Sequence, residues 1–495
     1  MERDLIRQIE AAQARARAPA HAESLSGRTG SLSPRERLAA LLDADSFVEY
    51  GALAGATSDP DDENHADGLV GGAGLIAGKA VVAATYDSTV KHGTQSSRNQ
   101  RKLAKLLYLA VEHRWPFVCF VDGAGARTDD PLPAPPIADL TRGRFDVYDG
   151  LAELSGWAPT IAIASGRCLD GNAGIAMLSD CVIATEDAEF GSVGGPRRSA
   201  QEYAKDGNVD VIAADEREAI ETARRYVSYF AVEAASGEPA PGAEEIAAII
   251  PENRRRPYDM RKVLAAFADA NSLLELGSSW GRSMLTTLAR LGGRTIGIMA
   301  NQPQSSLAGA IDAAACDKAA RFIELCDAYE FPLVSFIDNP GYMVGPQAER
   351  EGIARHHTRP LSALFHRTVP LYSVQVRKAY GLGPFAMTGF GSGRKMPDLR
   401  LAWPSVESGG MSLEGAAYLV KRKEMLEASS PKEAVAIRDA YAEKKRDAAA
   451  GLRAGRTYQF DDVILPEQTR ERVLALLERM PRILSATKKH PIDPH

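Results

Sequence analysis

The strongest constraint on the fold is an internal repeat, in which one helix–strand–turn pattern occurs twice. The stretch RKLAKLLYLAVEHRWPFVCFVDGAGAR, residues 101–127, aligns without a gap on DKAARFIELCDAYEFPLVSFIDNPGYM, residues 317–343. The matched positions include Lys102 with Lys318, Pro116 with Pro332, Asp122 with Asp338, and Gly125 with Gly341. Since the copies lie almost half the chain apart, the repeat predicts two domains of the same fold.

Each copy predicts a helix followed by a buried strand. Apolar residues in the first copy recur at the spacing i, i+3, i+4 and i+7 of an amphipathic helix, namely Leu103, Leu106, Leu107 and Ala110. Pro116 then ends the helical pattern. The run FVCFVD that follows is typical of a strand buried on both faces. Because α/β folds bind ligands beyond the carboxyl ends of such strands, we expect an α/β fold with sites after these strands.

A second pair of matching segments follows the two copies. WAPTIAIASGRCLDGNAGIAM, residues 157–177, resembles TVPLYSVQVRKAYGLGPFAM, residues 368–387. Each segment passes from a strand through basic residues to a glycine-bearing turn. The stretch AASGEPAPGAEE, residues 234–245, is rich in Pro, Gly and Ala and is the best candidate linker. These features predict an internal duplication, with domains at 1–245 and 246–495.

Composition argues against several classes of protein. With 45% hydrophobic and 25% charged residues, the chain has the balance of a globular protein. Its formal net charge of −6 offers no electrostatic reason to bind nucleic acid. No apolar run reaches the roughly 18 residues of a membrane span, and the charged N-terminus lacks a secretory apolar core. We therefore expect a cytoplasmic protein with no nucleic-acid or membrane partner.

Familiar catalytic and metal-binding motifs are missing from the sequence. The five cysteines have no CxxC spacing, which argues against a disulfide framework and a zinc site and favours buried thiols. P-loop and HExxH patterns do not occur, and no GxSxG nucleophile elbow is expected. The adjacent His356 and His357 would face different ways on a helix, so a surface or structural role is expected. Asp338, alone at a strand end, is interpreted as a residue that caps local amides. We predict no metal site.

Two glycine-bearing turns at equivalent places remain as candidate sites. They are CLDGNAG, residues 168–174 (the first turn), and AYGLGP, residues 379–384 (the second turn). A strand that enters a helix through such a turn leaves backbone N–H groups unpaired, and two of these can stabilise a developing oxyanion. Glycine lets a substrate approach the backbone. The alternative is two ordinary strand–helix turns. Two facing oxyanion holes would suit a reaction with two enolate-like partners, one held by each half.

The chain resembles the carboxyltransferase (β) subunits of biotin-dependent acyl-CoA carboxylases, such as acetyl- and propionyl-CoA carboxylase. The resemblance covers nearly the whole chain and rests on motifs in the family's order, including YDSTVKHGT, DGAGAR, SGRCLDGNAG, PENRRRPYDMRKVL, IDNPGYMVG, RKAYGLG and AWPSVESGGMSLEGAA. It implies two tandem domains of the crotonase fold (ClpP/crotonase superfamily). It also implies an active site between the N-domain of one subunit and the C-domain of another, in a homo-hexamer built as a trimer of dimers.

The same resemblance implies a mechanism and its residues. Carboxybiotin on a separate carrier protein releases CO2, and the remaining biotin takes the α-proton of an acyl-CoA, whose enolate attacks the CO2. The backbone at Asp170 and Gly171, with Asn172, would hold the thioester oxygen of the coenzyme A substrate, and that at Leu382 and Gly383 the biotin ureido oxygen. A biotin carboxylase with a biotin carrier is the implied partner. Since no Ala-Met-Lys-Met-type site occurs, biotin is not expected on this chain.

Further residues around the two turns are candidates for substrate binding. They are Arg167, Arg377, Lys378, Tyr380, Gly381 and Phe385. The three basic residues have the chemistry to contact a phosphate or carboxylate, with a solvated or structurally paired charge as the alternative. Phe385 would either line the acyl pocket or fill the core.

Departures from the family leave the substrate and the direction of reaction open. Asp170-Gly171 stands where many members have Gly-Gly, and Leu382-Gly383 where many have Gly-Ala. RRSAQEYAKDG replaces a longer insert. A carboxylate at Asp170 near a developing enolate is unfavourable unless it points away or is paired. The alternatives are therefore an acyl-CoA decarboxylase of the same fold, acting on malonyl- or methylmalonyl-CoA, and a non-catalytic homologue.

Overall fold

In this computed structural model the chain forms two compact units. The structure describes residues 2–17, 31–55, 65–128, 146–230, 237–254, 256–389, 395–449, 451–480 and 490–494. The first unit comprises Met1–Val232 with Thr487–Pro494, and the second comprises Glu233–Ala486. Across the described residues, no helix is both long and apolar enough to cross a membrane.

The first unit contains a large and a small sheet. Its strands are β1 (Val48–Glu49), β2 (Leu69–Ile76), β3 (Lys79–Tyr86), β4 (Phe117–Phe120), β5 (Gly123–Ala124), β6 (Thr160–Ala164), β7 (Arg167–Leu169), β8 (Cys181–Thr185), β9 (Glu189–Gly191), β10 (Arg197–Ser199) and β11 (Val211–Ala213). The seven-stranded sheet has the order β1-β2-β3-β4-β6-β8-β11, antiparallel up to β3 and parallel from there on. The four-stranded sheet has the order β10-β9-β7-β5.

Helices flank these sheets. They are Glu2–Arg17, Pro34–Leu41, Ser97–His113, Val147–Leu154, Gly171–Met177, Ala200–Lys205 and Glu216–Phe230, with short 3₁₀ segments at His65–Gly68 and Lys91–Gly93. The parallel strands β4 and β6 are buried over their whole length and consist almost entirely of apolar residues, as expected where both faces of a sheet are covered.

The second unit repeats the same arrangement in one sheet. Its strands are β12 (Leu274–Leu276), β13 (Met284–Leu291), β14 (Arg294–Asn301), β15 (Leu333–Asn339), β16 (Leu371–Tyr380), β17 (Leu399–Ala402), β18 (Glu407–Gly409) and β19 (Asp462–Val463). The order is β12-β13-β14-β15-β16-β17-β19, with β18 beside β16. As in the first unit, two antiparallel pairs are followed by parallel ones.

Among the described residues, the second unit has more helices than the first. Its helices are Met260–Phe267, Ala313–Ala328, Pro346–Arg350, Ile353–His356, Thr358–His366, Phe385–Thr388, Leu413–Val420, Arg422–Leu426, Pro431–Ala449, Gly451–Arg456 and Thr469–Leu477, with 3₁₀ segments at Ala243–Ile249 and Pro466–Gln468.

The predicted duplication is confirmed by the position of the repeated segments. Ser97–His113 and Ala313–Ala328 are the repeated helices, and each leads into a central strand, β4 or β15. The repeated lysines are both buried. Lys102 donates to the carbonyls of Gly51 and Leu69 at 3.2 and 2.5 Å. The equivalent Lys318 donates to three carbonyls, those of Gly277, Trp280 and Met284.

The predicted linker packs on the second unit where it is described. Residues 234–236 of this stretch lie outside the described residues. From Gly237 onward the chain is bound to the second unit, since Ala270 N donates to Glu238 O at 3.0 Å and Arg470 donates to Gly237 O at 3.2 Å. Near the other terminus, Ile492 N donates to Ser155 Oγ at 3.1 Å and so joins the first unit.

Candidate active site

The first turn connects β7 to the helix Gly171–Met177. Asp170 N donates to Gly191 O at 3.0 Å, and Gly174 N donates back to Asp170 O at 2.9 Å, which closes the first helical turn. The amides of Gly171 and Asn172 precede that closure and make no hydrogen bond within the part of the chain that the structure describes. Two adjacent backbone donors are therefore free at this turn.

Asp170 is exposed and has an unusual backbone conformation. Its φ of 47° and ψ of −117° lie in a region that favours glycine. Its carboxylate Oδ2 accepts a hydrogen bond from Val193 N at 3.0 Å. The side chain also packs on Gly125, where an added Cβ would lie only 2.7 Å from Asp170 Cβ. The carboxylate is therefore paired with a backbone amide.

Asn172 and Gln95 lie beneath the first turn. The Asn172 side chain is fully buried, and its Oδ1 accepts from Gly125 N at 3.1 Å. Its Nδ2 has no acceptor among the described residues. The amide group of Gln95 packs against Gly171, since a Cβ at Gly171 would lie 3.0 Å from Gln95 Cδ and closer still to its Oε1. Only a glycine fits at residue 171 without displacing Gln95.

Asp122, which follows the first repeated strand, binds the backbone of the connection between β6 and β7. Its Oδ1 accepts from the amides of Ser165 and Gly166 at 2.8 and 2.7 Å. Its Oδ2 pairs with the buried Arg37 at 2.9 Å, and Arg37 also contacts Glu216. Although burial alone would lower the pKa of Arg37, the two carboxylates raise it overall.

The second turn follows the end of β16. Gly381, with φ of +63°, donates from its amide to Gly409 O at 3.0 Å. The carbonyls of Leu382 and Gly383 accept from Phe385 N and Ala386 N at 3.0 and 3.1 Å. The amides of Leu382 and Gly383 make no hydrogen bond to any described residue. The second turn thus also has a pair of free adjacent donors.

Gly383 is required by the close approach of a neighbouring backbone. A Cβ at this position would lie 2.7 Å from Gly341 Cα and would overlap Asn339 Oδ1. Asn339 is fully buried and held in place, because its Nδ2 donates to Asn301 Oδ1 at 3.0 Å and its Oδ1 accepts from Gly341 N at 3.2 Å. The turn after β15 thus fixes the position of the second turn.

Asp338 and Arg377 form a buried ion pair. Arg377 Nε lies 3.1 Å from Asp338 Oδ2, and Tyr258 OH donates to the same oxygen at 2.9 Å. Lys378 N donates to Asp338 Oδ1 at 3.1 Å. Burial, and then the charge of Asp338, raises the pKa of Tyr258. The sequence had suggested that Asp338 caps amides of its own turn. Its partners lie instead on β16 and on Tyr258.

The basic residues beside the two turns differ in exposure. Arg377 is buried, which favours the structural alternative for its charge. Lys378 is half-buried, and its Nζ lies 3.8 Å from Asp338 Oδ1. Arg167 is exposed and lies 3.6 Å from Glu189 Oε2. Phe385, at the start of its helix, is half-buried.

Tyr380 and Glu407 support the second turn from inside the unit. Tyr380 is buried and donates to Glu407 Oε2 at 2.8 Å. Burial would raise the pKa of Glu407, but the hydrogen bond from Tyr380 and the charges of Arg254 and Arg446 lower it overall. Sequence reasoning missed Glu407, although it belongs to the motif AWPSVESGG and its strand β18 pairs with residues 378–380.

The two adjacent histidines serve structural contacts. His356 Nδ1 lies 2.8 Å from Asp317 Oδ1, and His357 Nδ1 lies 3.1 Å from Ile353 O. Within the described ranges, no group of three or more His, Cys, Asp or Glu side chains is arranged to hold a metal ion. The five cysteines are buried.

Comparison with known proteins relates nearly the whole chain to one family. Residues 27–490 match the carboxyl transferase domain family. The methylmalonyl-CoA carboxyltransferase 12S subunit of Propionibacterium freudenreichii subsp. shermanii is 34% identical, over 91% of this chain and 88% of its own length. A putative propionyl-CoA carboxylase beta chain of Bacillus subtilis is 31% identical, over 94% of this chain and 93% of its own.

Solved structures are similar over the same extent. One is the transcarboxylase 12S crystal structure, described as a hexamer assembly with methylmalonyl-coenzyme A and methylmalonic acid bound. Its TM-score is 0.81 at 31% identity, and the match covers 99% of this chain and 97% of that one. A single-chain, multi-domain long-chain acyl-CoA carboxylase has a TM-score of 0.86 at 34% identity over 95% of this chain. The present chain spans about half of that protein, 48%. The predicted fold, two tandem crotonase-like α/β domains, is confirmed.

Proposed function

Because the chain belongs to the carboxyl transferase domain family, we propose that it is the carboxyltransferase subunit of a biotin-dependent acyl-CoA carboxylase. It moves a carboxyl group from carboxybiotin on a separate carrier protein to the α-carbon of an acyl-CoA. The observation that carries this proposal is the pair of free adjacent backbone amides at each of two equivalent turns. Each half of the duplicated chain thus offers donors for one oxygen that becomes negative during the reaction.

The first turn is the proposed site for the acyl-CoA thioester, in the domain assigned to residues 1–245. The amide of Asp170, expected from the sequence to donate to the thioester oxygen, already donates to Gly191 O at 3.0 Å. The amides of Gly171 and Asn172 would therefore donate to that oxygen as it gains negative charge. Asp170 does not forbid this role, because its carboxylate already accepts from Val193 N at 3.0 Å. The exposed Arg167 would exchange its contact with Glu189 for a phosphate or carboxylate of the substrate.

The second turn is the proposed site for biotin, in the domain assigned to residues 246–495. A ureido oxygen is a strong acceptor, and the amides of Leu382 and Gly383 offer two adjacent donors. Gly381 and Gly383 leave the backbone of this turn without side chains at two positions, and no side chain fits at residue 383. The residues present therefore fit the ureido group. When bound, biotin supplies both the carboxyl group and the base, which explains why a side-chain base is not needed.

The remaining predicted residues have supporting roles in this proposal. Arg377 and Tyr380 are buried and position the backbone of the second turn through Asp338 and Glu407. Lys378 and Phe385, both partly exposed, would contact the substrate. The proposed assembly is a homo-hexamer that works with a biotin carboxylase and a biotin carrier. Its support is the hexamer named for the transcarboxylase 12S structure.

The reverse half-reaction tests the proposal directly. The purified chain is incubated with malonyl-CoA or methylmalonyl-CoA, with and without free biotin, and acetyl-CoA or propionyl-CoA is followed by mass spectrometry. We expect conversion that depends on biotin. Gly383→Val should abolish it, because the side chain would clash with Asn339 and the backbone of Gly341 and so displace the two donor amides of the second turn. Glu112→Gln is the matched control, since Glu112 is exposed near the end of the helix before β4, and it should behave like the unaltered chain.

Other outcomes would redirect the assignment. Equal conversion without biotin would indicate the acyl-CoA decarboxylase alternative. Failure to convert either ester, together with failure to bind any CoA ester, would support the non-catalytic alternative.

A further inference from the structure

We propose that Tyr148 is a positioning residue for the first turn, whose hydroxyl holds and polarises the peptide group that provides one of the two free amides. This peptide group joins Gly171 to Asn172. The inference rests on the proposed function, in which the amide of Asn172 donates to the thioester oxygen. Tyr148 acts through the backbone of the turn and does not itself contact the substrate in this role.

The hydroxyl of Tyr148 meets the first turn on its carbonyl side. Tyr148 OH donates to Gly171 O at 3.3 Å. The helix Gly171–Met177 is expected to provide this carbonyl with one hydrogen bond, from the amide four residues further on, and the hydroxyl uses the second lone pair. Tyr148 is 37% exposed at the start of the helix Val147–Leu154. Its hydroxyl can therefore be removed without emptying the core.

The peptide group transmits this contact to the free amide. A trans peptide group is planar, and its C=O and N–H point in opposite directions. A donor on Gly171 O therefore helps to fix the direction of the Asn172 N–H, and it draws electron density toward the oxygen, which makes that N–H a stronger donor. A thioester oxygen that becomes negative gains more from a stronger, fixed donor than the neutral thioester does.

The second turn has a backbone hydrogen bond at the matching place. There the peptide group that ends in the free amide of Gly383 begins with Leu382, whose carbonyl accepts from Phe385 N at 3.0 Å. Each turn thus has a donor on the carbonyl behind one of its free amides. In the first turn a side chain, that of Tyr148, contributes to this support.

Gly174 leaves the space that Tyr148 occupies. A Cβ at residue 174 would lie 3.0 Å from Tyr148 OH and 3.2 Å from its Cε1. Glycine weakens a helix relative to alanine, so a glycine inside this seven-residue helix calls for a packing reason. The ring and hydroxyl of Tyr148 provide that reason. Gly174 and Tyr148 are therefore parts of one arrangement.

The test is steady-state kinetics of the biotin-dependent conversion of malonyl-CoA by the full chain, at saturating free biotin. Tyr148→Phe keeps the ring and removes the hydroxyl. We expect kcat to fall about 3- to 10-fold with the KM for malonyl-CoA unchanged, as for an interaction made stronger in the transition state. The pH profile of kcat should keep its shape between about pH 6 and 9, because the hydroxyl transfers no proton to the substrate.

Tyr108→Phe is the matched control. Tyr108 is 41% exposed on the helix Ser97–His113, so the change removes a hydroxyl from a similarly exposed ring. Both kcat and KM should stay as in the unaltered chain.

A second variant tests the link to Gly174. Gly174→Ala moves the hydroxyl of Tyr148, because the added methyl group would lie only 3.0 Å from it, so kcat should again fall about 3- to 10-fold. In the Tyr148→Phe background the same change should have little further effect, since the hydroxyl that it displaces is already absent. Losses that simply multiply in the double variant would overturn the inference.

The remaining outcomes separate this inference from the proposed function. If the unaltered chain converts malonyl-CoA with biotin, an unchanged kcat in Tyr148→Phe overturns the inference and leaves the proposed function intact. A lower kcat that comes with a raised KM or an altered pH profile also overturns it, because a distorted site or a proton transfer would then account for the loss. If the unaltered chain shows no biotin-dependent conversion, the proposed function and this inference both fail.

Discussion

The two halves of the chain place an aspartate at the same point of the repeat but pair it with arginines from different elements. Asp122 of the first unit pairs with Arg37 from the helix Pro34–Leu41, and Arg37 also contacts Glu216. Asp338 of the second unit pairs with Arg377 from the neighbouring strand β16. Both halves thus have a buried negative charge at the end of the repeated strand, but the arginine that pairs with it comes from a different element in each half. A buried carboxylate needs a partner, but the fold leaves open where that partner comes from.

The strands around these aspartates also differ between the halves. In the first unit β4 and β5 are separate, and so are β6 and β7, which divides the sheet in two. In the second unit β15 and β16 continue through the same region, with a shift of register between Ile337 and Asn339. Both arrangements end in a turn with two free amides. The same kind of turn can therefore form although the strands that lead to it follow different paths.

Removing the charge of Asp338 should have the largest effect on stability. Asp338→Asn leaves the buried Arg377 without the carboxylate that pairs with it, and it places an NH2 group among donors from Tyr258, Arg377 and Lys378. We expect the free energy of unfolding to fall by about 3–5 kcal/mol. Urea denaturation followed by circular dichroism measures it.

The equivalent change in the first unit sharpens this comparison. Asp122→Asn leaves Arg37 in contact with Glu216, so we expect a loss of only about 1–3 kcal/mol. Equal losses in the two variants would show that Glu216 does not compensate for the missing charge.

The buried Lys102 should make the free energy of unfolding vary with pH in the alkaline range. Burial lowers the pKa of Lys102 from 10.5 to about 8 in the folded chain. Between these values the unfolded chain binds more protons, so stability should rise as the pH increases from about 8 to 10.5, by at most about 3 kcal/mol. Unfolding midpoints across this range measure the slope.

Lys102→Met is the control for this slope. It removes the titrating group, so the rise in stability between about pH 8 and 10.5 should be absent from the variant, in which the carbonyls of Gly51 and Leu69 lose that donor. The difference between the two pH profiles isolates Lys102. A slope of the same size in the variant would assign the pH dependence to other groups.

The glycines of the two turns should tolerate a methyl group unequally. At Gly383 the added Cβ meets the backbone of Gly341, which cannot rotate away, so Gly383→Ala should cost about 1–3 kcal/mol of stability. Biotin-dependent turnover should fall about 100-fold or more, since the donors of this turn would move. Thermal unfolding and the malonyl-CoA assay measure the two effects.

Gly171→Ala is the matched change in the first turn. There the added Cβ meets only the end of the Gln95 side chain, which can rotate, so the loss of stability should stay below that of Gly383→Ala. A larger loss at residue 171 would mean that Gln95 is held as firmly as a backbone.

The smallest expected effect concerns the backbone conformation of Asp170. Asp170→Ala loses the hydrogen bond to Val193 and keeps a side chain at φ of 47°, whereas Asp170→Gly relieves that strain. We expect the alanine variant to be about 1–2 kcal/mol less stable than the glycine variant by thermal unfolding. Equal stability would indicate that the backbone relaxes without cost.

Much of the architecture could be predicted from the sequence because its signals are local. The helix, proline and apolar strand of each repeat copy follow one another within 27-residue segments whose periodicity is visible by inspection. The two turns were found by the same route, since a glycine-bearing stretch after each strand is a feature of neighbouring residues. Their free amides agree with that expectation.

The contacts that hold the turns could not be predicted in this way. Glu407 and Arg254, which meet beneath the second turn, are distant in the sequence, as are Arg37 and Asp122 in the first unit. Arg377 and Lys378 are adjacent and chemically alike in sequence, yet one is buried in an ion pair and the other is half-buried. Burial decides their difference, and it depends on the whole unit.

By itself, the sequence determined that this chain is a duplicated α/β protein with a glycine-bearing turn after an equivalent strand in each half. Those properties depend on periodicity, backbone freedom and order along the chain. Only the tertiary structure decided which charges are buried and that the Asp170 carboxylate binds Val193 N. It also decided that Asn172 Nδ2 has no acceptor among the described residues, whereas Asn339 Nδ2 donates to Asn301. The physical reason is that pairing and desolvation are set by atoms brought together from distant segments, and no local pattern records them.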